Sequence, residues 1–226
     1  FPGQGSQYVQ MGRDLYEENS VFRSYLDRCA EILNEVMDTD IRDLLFPDEE
    51  KSAEATEKLK NTVYTQPVIF SVEYALARLW MDMGIKPVTV LGHSLGEFTA
   101  ACIAEVFDLE TGLKLVAKRG SIMQQLEKGS MLAVMVPHTD LEEFMHEQLS
   151  VAGINTPDSC IISGPTPAIE ELKSKLEEKE IYTRVLATSH AFHSHMMDPV
   201  LEEFREFASG MDYKQPMTPV ISTVRG

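Results

Sequence analysis

The chain has 226 residues, of which 43% are hydrophobic and 25% charged, so it is long enough for one large domain or two modest ones with a real core. Its 20 basic and 36 acidic residues give a formal net charge of −16, which argues against nucleic acid and anionic membranes as partners. The three cysteines lie far apart and no run of about 18 apolar residues occurs, so the sequence predicts neither a disulfide framework nor a membrane span, and the cytoplasm is the expected compartment.

The two ends indicate a piece of a longer chain. The sequence opens on Phe1-Pro2-Gly3 without an initiator methionine, and it stops just after a predicted strand over 219–224. We therefore expect the C-terminal part of the domain to lie beyond residue 226.

Helical patterns dominate the first third of the chain. Apolar residues between Phe22 and Val36 recur at the spacing of one helix face. A second, long helix is predicted to open at Gln66-Pro67, because proline suits the first turn of a helix. It is predicted to end near Met83, with Gly84 as its C-cap.

A strand, a sharp turn and a helix are predicted around Ser94. The strand over 87–91 leads into Gly92-His93-Ser94-Leu95-Gly96, the G-x-S-x-G pattern of a nucleophile elbow, and a helix follows to about Ala104. The glycines leave room for a tight turn and for close approach of a substrate. Backbone N–H groups at the start of the helix are suited to stabilise an oxyanion. Ser94 is therefore a candidate nucleophile.

A small α/β unit follows the elbow helix and one more helix. That helix is predicted from about Leu109 to Leu126, with Asp108 as its N-cap. The order is then strand, helix, two strands, helix and strand, which is a split ferredoxin-like unit. The predicted strands are 130–136, 151–154, 160–163 and 182–186, and the predicted helices are 140–149 and 168–179. A last helix is predicted over 196–209.

The histidines are the candidate bases, because a serine hydroxyl is a poor nucleophile until a base takes its proton. His93 adjoins Ser94, but neighbours in an elbow point in different directions, so we expect it to support the backbone. His138 and His146 are expected at the surface. The segment His190-Ala191-Phe192-His193-Ser194-His195 stands apart, and spacing alone leaves open which of its histidines is the base. Helix capping and a metal site are the alternatives; no Cys, Asp or Glu cluster accompanies the imidazoles, so no metal is predicted.

Five motifs occur in a fixed order along essentially the whole chain. They are Phe1-Pro2-Gly3-Gln4-Gly5-Ser6-Gln7, Tyr64-Thr65-Gln66-Pro67, Gly92-His93-Ser94-Leu95-Gly96-Glu97, Arg119-Gly120 with Met123-Gln124, and His190-Ala191-Phe192-His193. In this order they resemble the malonyl-CoA:acyl carrier protein acyltransferases, most closely the acyltransferase domains of modular polyketide synthases. The resemblance implies an α/β fold. In it a hydrolase-like parallel-sheet large subdomain, 1–128 and 189–226, carries an inserted ferredoxin-like (βαββαβ) small subdomain, 129–188.

The resemblance also implies the catalytic roles. Ser94 resembles the acylated nucleophile, and His193, the last residue of its motif, resembles the base. The N–H groups of Gln4 and Leu95 would form the oxyanion hole. The family normally continues into a segment that orients the histidine through a backbone carbonyl, and that segment lies beyond this sequence.

The substrate-binding residues implied by the resemblance are Arg119, Phe192, His93 and Gln66. Arg119 would hold the free carboxylate of a malonyl group, because a guanidinium can grip a carboxylate with two parallel hydrogen bonds. Phe192 would fill the space that the methyl group of a methylmalonyl unit needs. Leu95, where methylmalonyl-selecting members tend to have glutamine, also resembles the malonyl type.

The implied activity is the ping-pong transfer of a malonyl unit from coenzyme A to the phosphopantetheine thiol of an acyl carrier protein, in polyketide biosynthesis. Malonyl-CoA would be a substrate, no cofactor would be permanently bound, and the partners would be the carrier protein and neighbouring synthase domains. The alternatives are a stand-alone malonyl transferase of fatty acid synthesis, a serine acyl hydrolase, and a non-catalytic module that only docks a carrier protein.

Overall fold

The secondary structure is taken from a computed structural model, which describes residues 1–224; residues 225 and 226 of the predicted 189–226 segment lie outside the described residues. The α-helices are α1 (Arg13–Glu18), α2 (Ser20–Leu33), α3 (Ile41–Leu45), α4 (Ser52–Lys58), α5 (Thr62–Asp82), α6 (Gly96–Ile103), α7 (Leu109–Gln124), α8 (Thr166–Glu178) and α9 (Leu201–Ser209). The strands are β1 (Val90–Gly92), β2 (Ser130–Val134), β3 (Ser150–Thr156), β4 (Ser159–Gly164), β5 (Thr183–Val185) and β6 (Val220–Ser222). Short 3₁₀ helices occupy Glu49–Lys51, His138–Phe144 and His195–Val200. Within 1–224 no helix is long and apolar enough to cross a membrane.

The chain divides into two compact units. The first is Phe1–Ile122 with Glu206–Gly226, described as far as Val224, and the second is Met123–Arg205. The predicted domain ranges, 1–128 with 189–226 and 129–188, stay a prediction.

The first unit contains a parallel pair of strands that leads to Ser94. β1 pairs with β6 in the register Val90 with Val220, and the Val90 N–H donates to Pro219 O at 2.9 Å. Successive residues of a strand present their hydrogen-bonding groups to opposite edges. On the other edge, Phe1 N donates to Leu91 O and Phe1 O accepts from His93 N, both at 2.9 Å. Backbone bonds therefore hold β1 on both sides.

Helix α5 starts four residues earlier than Gln66, where the prediction put it. Its first residue is Thr62, and Pro67 lies inside the helix. The prediction was wrong because proline suits the first turn but is tolerated a little further in, where it removes a single backbone donor. The other end is as predicted, since α5 stops at Asp82 and Gly84 adopts a φ of 90° just beyond it.

Helix α2 confirms the predicted apolar face in the first third of the chain. Phe22, Leu26 and Leu33 are fully buried, and α2 contacts α5. Val36 was predicted on the same face, but it lies beyond the end of α2 and is exposed.

The second unit contains a four-stranded antiparallel sheet in the order β3-β4-β2-β5. This is the strand order of a ferredoxin-like βαββαβ unit, as predicted. Its core is formed by apolar side chains of the sheet and of α8, among them Leu132, Ile162, Leu172 and Leu176.

The first connection of this unit is not the predicted helix 140–149 but the 3₁₀ helix His138–Phe144. Leu141 is its one fully buried residue, and Phe144, three positions on, packs on the same core. A 3₁₀ helix places residues three apart on one face, so this short apolar spacing favours it over a longer α-helix.

The predicted helix 196–209 is divided in two. His195–Val200 is a 3₁₀ helix containing Pro199, and α9 follows it. Proline lacks the N–H that a continuous α-helix requires, which explains the division.

A buried carboxyl group joins α5 to the helix that follows the elbow. Glu73 on α5 accepts a hydrogen bond at 2.7 Å from the Thr99 hydroxyl on α6. Its second oxygen, Oε1, is buried and has no hydrogen-bond partner in the described part of the chain. Burial raises the pKa of Glu73 to about 7, opposed by the Thr99 hydrogen bond.

Replacing Glu73 should change how stability depends on pH. Between about pH 4.5 and 7 the unfolded carboxyl is ionised while the folded one keeps its proton. The folded state therefore binds more protons, and the free energy of unfolding falls as the pH rises through this window. We expect Glu73→Gln to remove this loss, on the order of 2 kcal/mol, in urea unfolding measured at pH 5 and pH 8.

The matched control is Glu57→Gln, an exposed glutamate of α4. It should keep the pH dependence of the wild type. An equally steep dependence in Glu73→Gln would contradict the assignment to Glu73.

Candidate active site

The candidate nucleophile Ser94 sits in the turn between β1 and α6. Its φ is 52°, in the left-handed region that costs a non-glycine residue about 1–3 kcal/mol. The glycines on either side make the turn possible: a Cβ on Gly92 would lie 2.1 Å from the backbone of Gly96. The structure therefore has the predicted strand, sharp turn and helix, with Ser94 half-buried at the turn.

The first residues of the chain pack directly on this turn. A Cβ on Gly96 would lie 2.2 Å from Phe1 O, and a Cβ on Gly3 would lie 2.9 Å from His93 O. The same added atom on Gly3 would lie 3.5 Å from the Cβ of Ser94. The backbone leading into Gln4 is thus held beside the elbow.

The two predicted oxyanion-hole residues both belong to this packed region. Leu95 is buried and directly precedes α6. The first backbone N–H that donates within the turn is that of Gly96, to His93 O at 3.0 Å. The Leu95 N–H comes one residue before this series of turn hydrogen bonds. The side chain of Gln4 accepts a hydrogen bond from the Thr62 hydroxyl at 3.0 Å.

Arg119 lies on α7 and contacts two side chains, the predicted site residue Gln66 and Phe98 of α6. Its Nη1 donates to Gln66 Oε1 at 2.7 Å, and its guanidinium carbon lies 5.7 Å from the centre of the Phe98 ring. Gly120 allows this close approach of α7 to α5, because a Cβ there would lie 2.6 Å from Thr62 O. The predicted residues Arg119 and Gln66 are therefore in direct contact.

Arg119 forms no ion pair with a carboxylate among residues 1–224. The arginines that do form ion pairs there are Arg13, Arg28, Arg42 and Arg205. Burial lowers the pKa of Arg119 to about 10, which leaves the group protonated at neutral pH. A partly buried cation without a counter-ion is unfavourable and will attract an anion.

The predicted base segment lies in the second unit and is held by His190. His190 is buried, its Nε2 donates to Leu126 O at 3.2 Å, and its Nδ1 lies 2.7 Å from the Ser189 hydroxyl. A carbonyl oxygen only accepts, so Nε2 carries the proton and Nδ1 accepts. Burial lowers the pKa of His190, which favours this neutral form. These bonds give His190 a structural role.

His193 differs from its neighbours in both conformation and exposure. It has a φ of 59° and is exposed, while Ala191, Phe192 and Ser194 are buried. The Ser194 hydroxyl donates to Ala191 O at 2.7 Å and closes the turn around His193. This arrangement presents the imidazole of His193 outside its own core.

The remaining predicted residues are placed as follows. Phe192 packs with Met123, Met131 and Met197 in the second unit. His93 is exposed at the elbow, and its backbone N–H donates to Phe1 O, while its predicted substrate-binding role stays a prediction. No group of three or more metal-ligating side chains occurs between residues 1 and 224.

Sequence reasoning gave no role to three residues that hold predicted site segments within their own units. Glu97 Oε1 accepts from Thr223 N at 2.5 Å and from the Thr223 hydroxyl at 2.7 Å, which joins the elbow helix to the end of β6. Gly129 leaves room for Ala191, since a Cβ there would lie 2.6 Å from the Ala191 Cβ. Thr62 links Gln4 to the α5 side chains. The one sequence signal for Thr62 is its position four residues before Gln66, on the same helix face.

A family model described as "Acyl transferase domain" matches residues 1–226. One component of the phenolphthiocerol/phthiocerol polyketide synthase of Mycobacterium tuberculosis is 34% identical over 226 residues, which is 100% of this chain and 15% of that protein. Mycoketide-CoA synthase of the same organism is 40% identical over 228 residues, covering 100% of this chain and 5% of that protein. The chain thus spans a small part of these relatives.

Solved structures give the same result. The acyltransferase domain of ZmaA has a TM-score of 0.89 at 39% identity, covering 98% of this chain and 52% of that one. The acyltransferase domain of the second module of the salinomycin polyketide synthase has a TM-score of 0.90 at 38% identity, with 99% and 52% covered. MCAT from Streptococcus pneumoniae has a TM-score of 0.85 at 30% identity, with 98% and 72% covered. These matches confirm the predicted two-subdomain α/β fold class.

The packing at Gly96 gives a direct test of the elbow. In Gly96→Ala the new methyl group would overlap Phe1 O and Pro2 O, which are backbone atoms with little freedom to move. We expect the free energy of unfolding to fall by about 1–3 kcal/mol, the usual cost of overpacking, in urea unfolding.

Gly210→Ala is the matched control, because its Cβ would lie 3.6 Å from Phe207 O, an ordinary contact. It should change the stability by less than about 0.5 kcal/mol. Equal effects of the two substitutions would mean that the elbow is not tightly packed against the first residues.

Proposed function

This chain belongs to the acyl transferase domain family, and from that premise we propose that it transfers a malonyl unit from coenzyme A to the phosphopantetheine thiol of an acyl carrier protein. Acyl transfer of the polyketide synthase type follows from the family and the relatives. The malonyl group and the carrier protein are the proposed parts. We further propose that the chain acts beside other domains of a polyketide synthase, because its relatives are much longer synthases.

The observation that carries the malonyl proposal is Arg119. It is a partly buried cation, oriented by Gln66, with no carboxylate partner in residues 1–224. A protein of net charge −16 repels anions in general, so it needs a local cation to bind an acidic acyl group. The free carboxylate of malonyl supplies the missing counter-ion.

The proposed acylation step uses Ser94 and His193. His193 takes the proton of the Ser94 hydroxyl while the oxygen attacks the thioester carbonyl carbon. The N–H groups of Leu95 and Gln4 stabilise the resulting oxyanion. The C–S bond then breaks, and the coenzyme A sulfur leaves as the thiol with the proton from His193. The product is a malonyl ester of Ser94.

In the second step a thiol is the attacking group and no longer the leaving group. His193 takes a proton from the phosphopantetheine thiol, and the sulfur attacks the ester carbonyl. The Ser94–acyl bond breaks, and Ser94 recovers its proton from His193. The reaction exchanges one thioester for another, so it needs no oxidant, reductant or permanently bound cofactor. Water must be kept from the ester, because its attack would release free malonate.

Intact-mass measurement after incubation with malonyl-CoA tests the acyl-serine. We expect the wild type to gain one malonyl group and Ser94→Ala to gain none, because the alanine has no oxygen to acylate. Addition of phosphopantetheinylated carrier protein should move the malonyl group to the carrier.

The control is Ser71→Ala, which removes a buried hydroxyl that donates to Pro67 O within α5. It should acylate like the wild type. Release of free malonate at the same rate with and without carrier protein would favour a serine acyl hydrolase. An adduct that persists in Ser94→Ala would overturn the assignment of the nucleophile.

Competition between malonyl-CoA and methylmalonyl-CoA tests the acyl group. Phe192 is buried in its own unit among methionine side chains, and we propose that it excludes the extra methyl group. Exclusion of one methyl is worth about 1–3 kcal/mol, so we expect a preference for malonyl of roughly 10- to 200-fold in the acylation rate. Phe192→Ser should reduce this preference. Equal rates for the two thioesters in the wild type would contradict the proposal.

A further inference from the structure

Four polar side chains of the first unit form one continuous series of hydrogen bonds. Arg119 Nη1 donates to Gln66 Oε1 at 2.7 Å. Gln66 Nε2 donates to Thr62 Oγ1 at 2.7 Å, and Thr62 Oγ1 donates to Gln4 Oε1 at 3.0 Å. The series connects α7 to the loop before α1 through two residues of α5.

The arginine sets the direction of the first two bonds in this series, and the Thr62 hydroxyl completes it by donating to Gln4 Oε1. A guanidinium can only donate, so Gln66 must present its oxygen to Arg119 and its NH₂ group to Thr62. The threonine oxygen then accepts, and its single proton is left for Gln4 Oε1. Reversal of the Gln66 amide would set two donors, its NH₂ group and the Arg119 guanidinium, against each other.

Thr62 is the residue on which the series depends, because its hydroxyl both accepts and donates. Thr62 and Gln66 are both fully buried, so water cannot replace a lost partner. The backbone at Thr62 is also closely packed, with Gly120 of α7 against its carbonyl oxygen. The position of the hydroxyl is therefore strongly restrained.

We propose that Thr62 is a positioning residue that ties the carboxylate-binding Arg119 to the loop carrying the oxyanion-hole amide of Gln4. The inference rests on the proposed function. Gly3, next to Gln4, lies against His93 and the Cβ of Ser94, so a small movement of this loop displaces the amide of Gln4 relative to Ser94. The Thr62 hydroxyl thus fixes the position of Arg119, which binds the acyl carboxylate, relative to the Gln4 amide, which stabilises the oxyanion.

The test compares Thr62→Val with Thr62→Ser. Valine keeps the shape of threonine but leaves Gln66 Nε2 and Gln4 Oε1 without their shared partner, whereas serine keeps the hydroxyl. Misplacement of catalytic groups by about 1 Å costs on the order of 100-fold. We expect the rate of Ser94 acylation by malonyl-CoA to fall about 10- to 100-fold in Thr62→Val and to stay within about threefold of the wild type in Thr62→Ser.

Thr65→Val is the matched control for loss of a buried hydroxyl in the same helix turn. The Thr65 hydroxyl donates to Leu59 O and Asn61 O, backbone atoms outside the series. It should leave the acylation rate within about threefold of the wild type. Urea unfolding of all three variants separates loss of folding from loss of positioning.

A second readout is independent of the malonyl substrate. An alkyl fluorophosphonate reacts when the Ser94 oxygen attacks phosphorus and fluoride leaves, and its phosphoryl oxygen occupies the oxyanion hole without any carboxylate or coenzyme A. We expect slower labelling in Thr62→Val and also in Gln4→Met, which removes the acceptor but keeps the backbone amide. If Thr62→Val does not fold, Gln4→Met carries the test.

The outcomes separate the two proposals. Slow labelling of Thr62→Val with no acylation by malonyl-CoA, even in the wild type, would support the positioning role and overturn the proposed substrate. Labelling and acylation within twofold of the wild type in both Thr62→Val and Gln4→Met would overturn the positioning role and leave the proposed function standing. Equal loss in Thr62→Ser or Thr65→Val would overturn it as well, because the effect would then not follow the hydroxyl.

Discussion

Close contact between two backbone segments is the constraint on which the site depends. The turn at Ser94 is built against residues 1–3 so tightly that neither Gly96 nor Gly3 has room for a side chain. This contact keeps Ser94 in a left-handed conformation that an isolated turn would leave. It also holds the loop of Gln4 beside the serine. One packing arrangement therefore positions both the proposed nucleophile and the loop of the proposed oxyanion donor.

The second constraint is electrostatic. Arg119 is a partly buried cation in an acidic protein, and its burial is unfavourable because residues 1–224 give it no carboxylate partner. Hydrogen bonding to Gln66 and contact with the Phe98 ring offset part of that cost. Neither neutralises the charge, so the attraction for an anion remains. The carboxylate of the proposed substrate would supply the counter-ion that residues 1–224 do not provide.

Local sequence signals predicted local structure well. The N-cap at Asp108 is confirmed by its hydrogen bond from Thr111 N at 2.8 Å, and the strand, turn and helix around Ser94 are present. The start of α5 was missed because the residues that hold Thr62 lie at positions 4 and 120, far away in sequence. The same distance explains why Thr62 did not stand out as a site residue. Its role comes from tertiary contacts rather than from a motif.

The histidine cluster is a second place where tertiary contacts, and not a local motif, decide the role of each residue. The spacing of the three imidazoles within six residues did not show which one is the candidate base. The burial of each imidazole depends on residues that are distant in sequence. Leu126 O accepts from His190 more than sixty positions away in sequence, and this contact buries one imidazole as a neutral support. His193 is thereby set apart as an exposed group in a restrained turn. The role proposed for His193, a base that takes and returns a proton twice in each cycle, benefits from a turn whose shape is held by other side chains, and His190 and Ser194 hold it here.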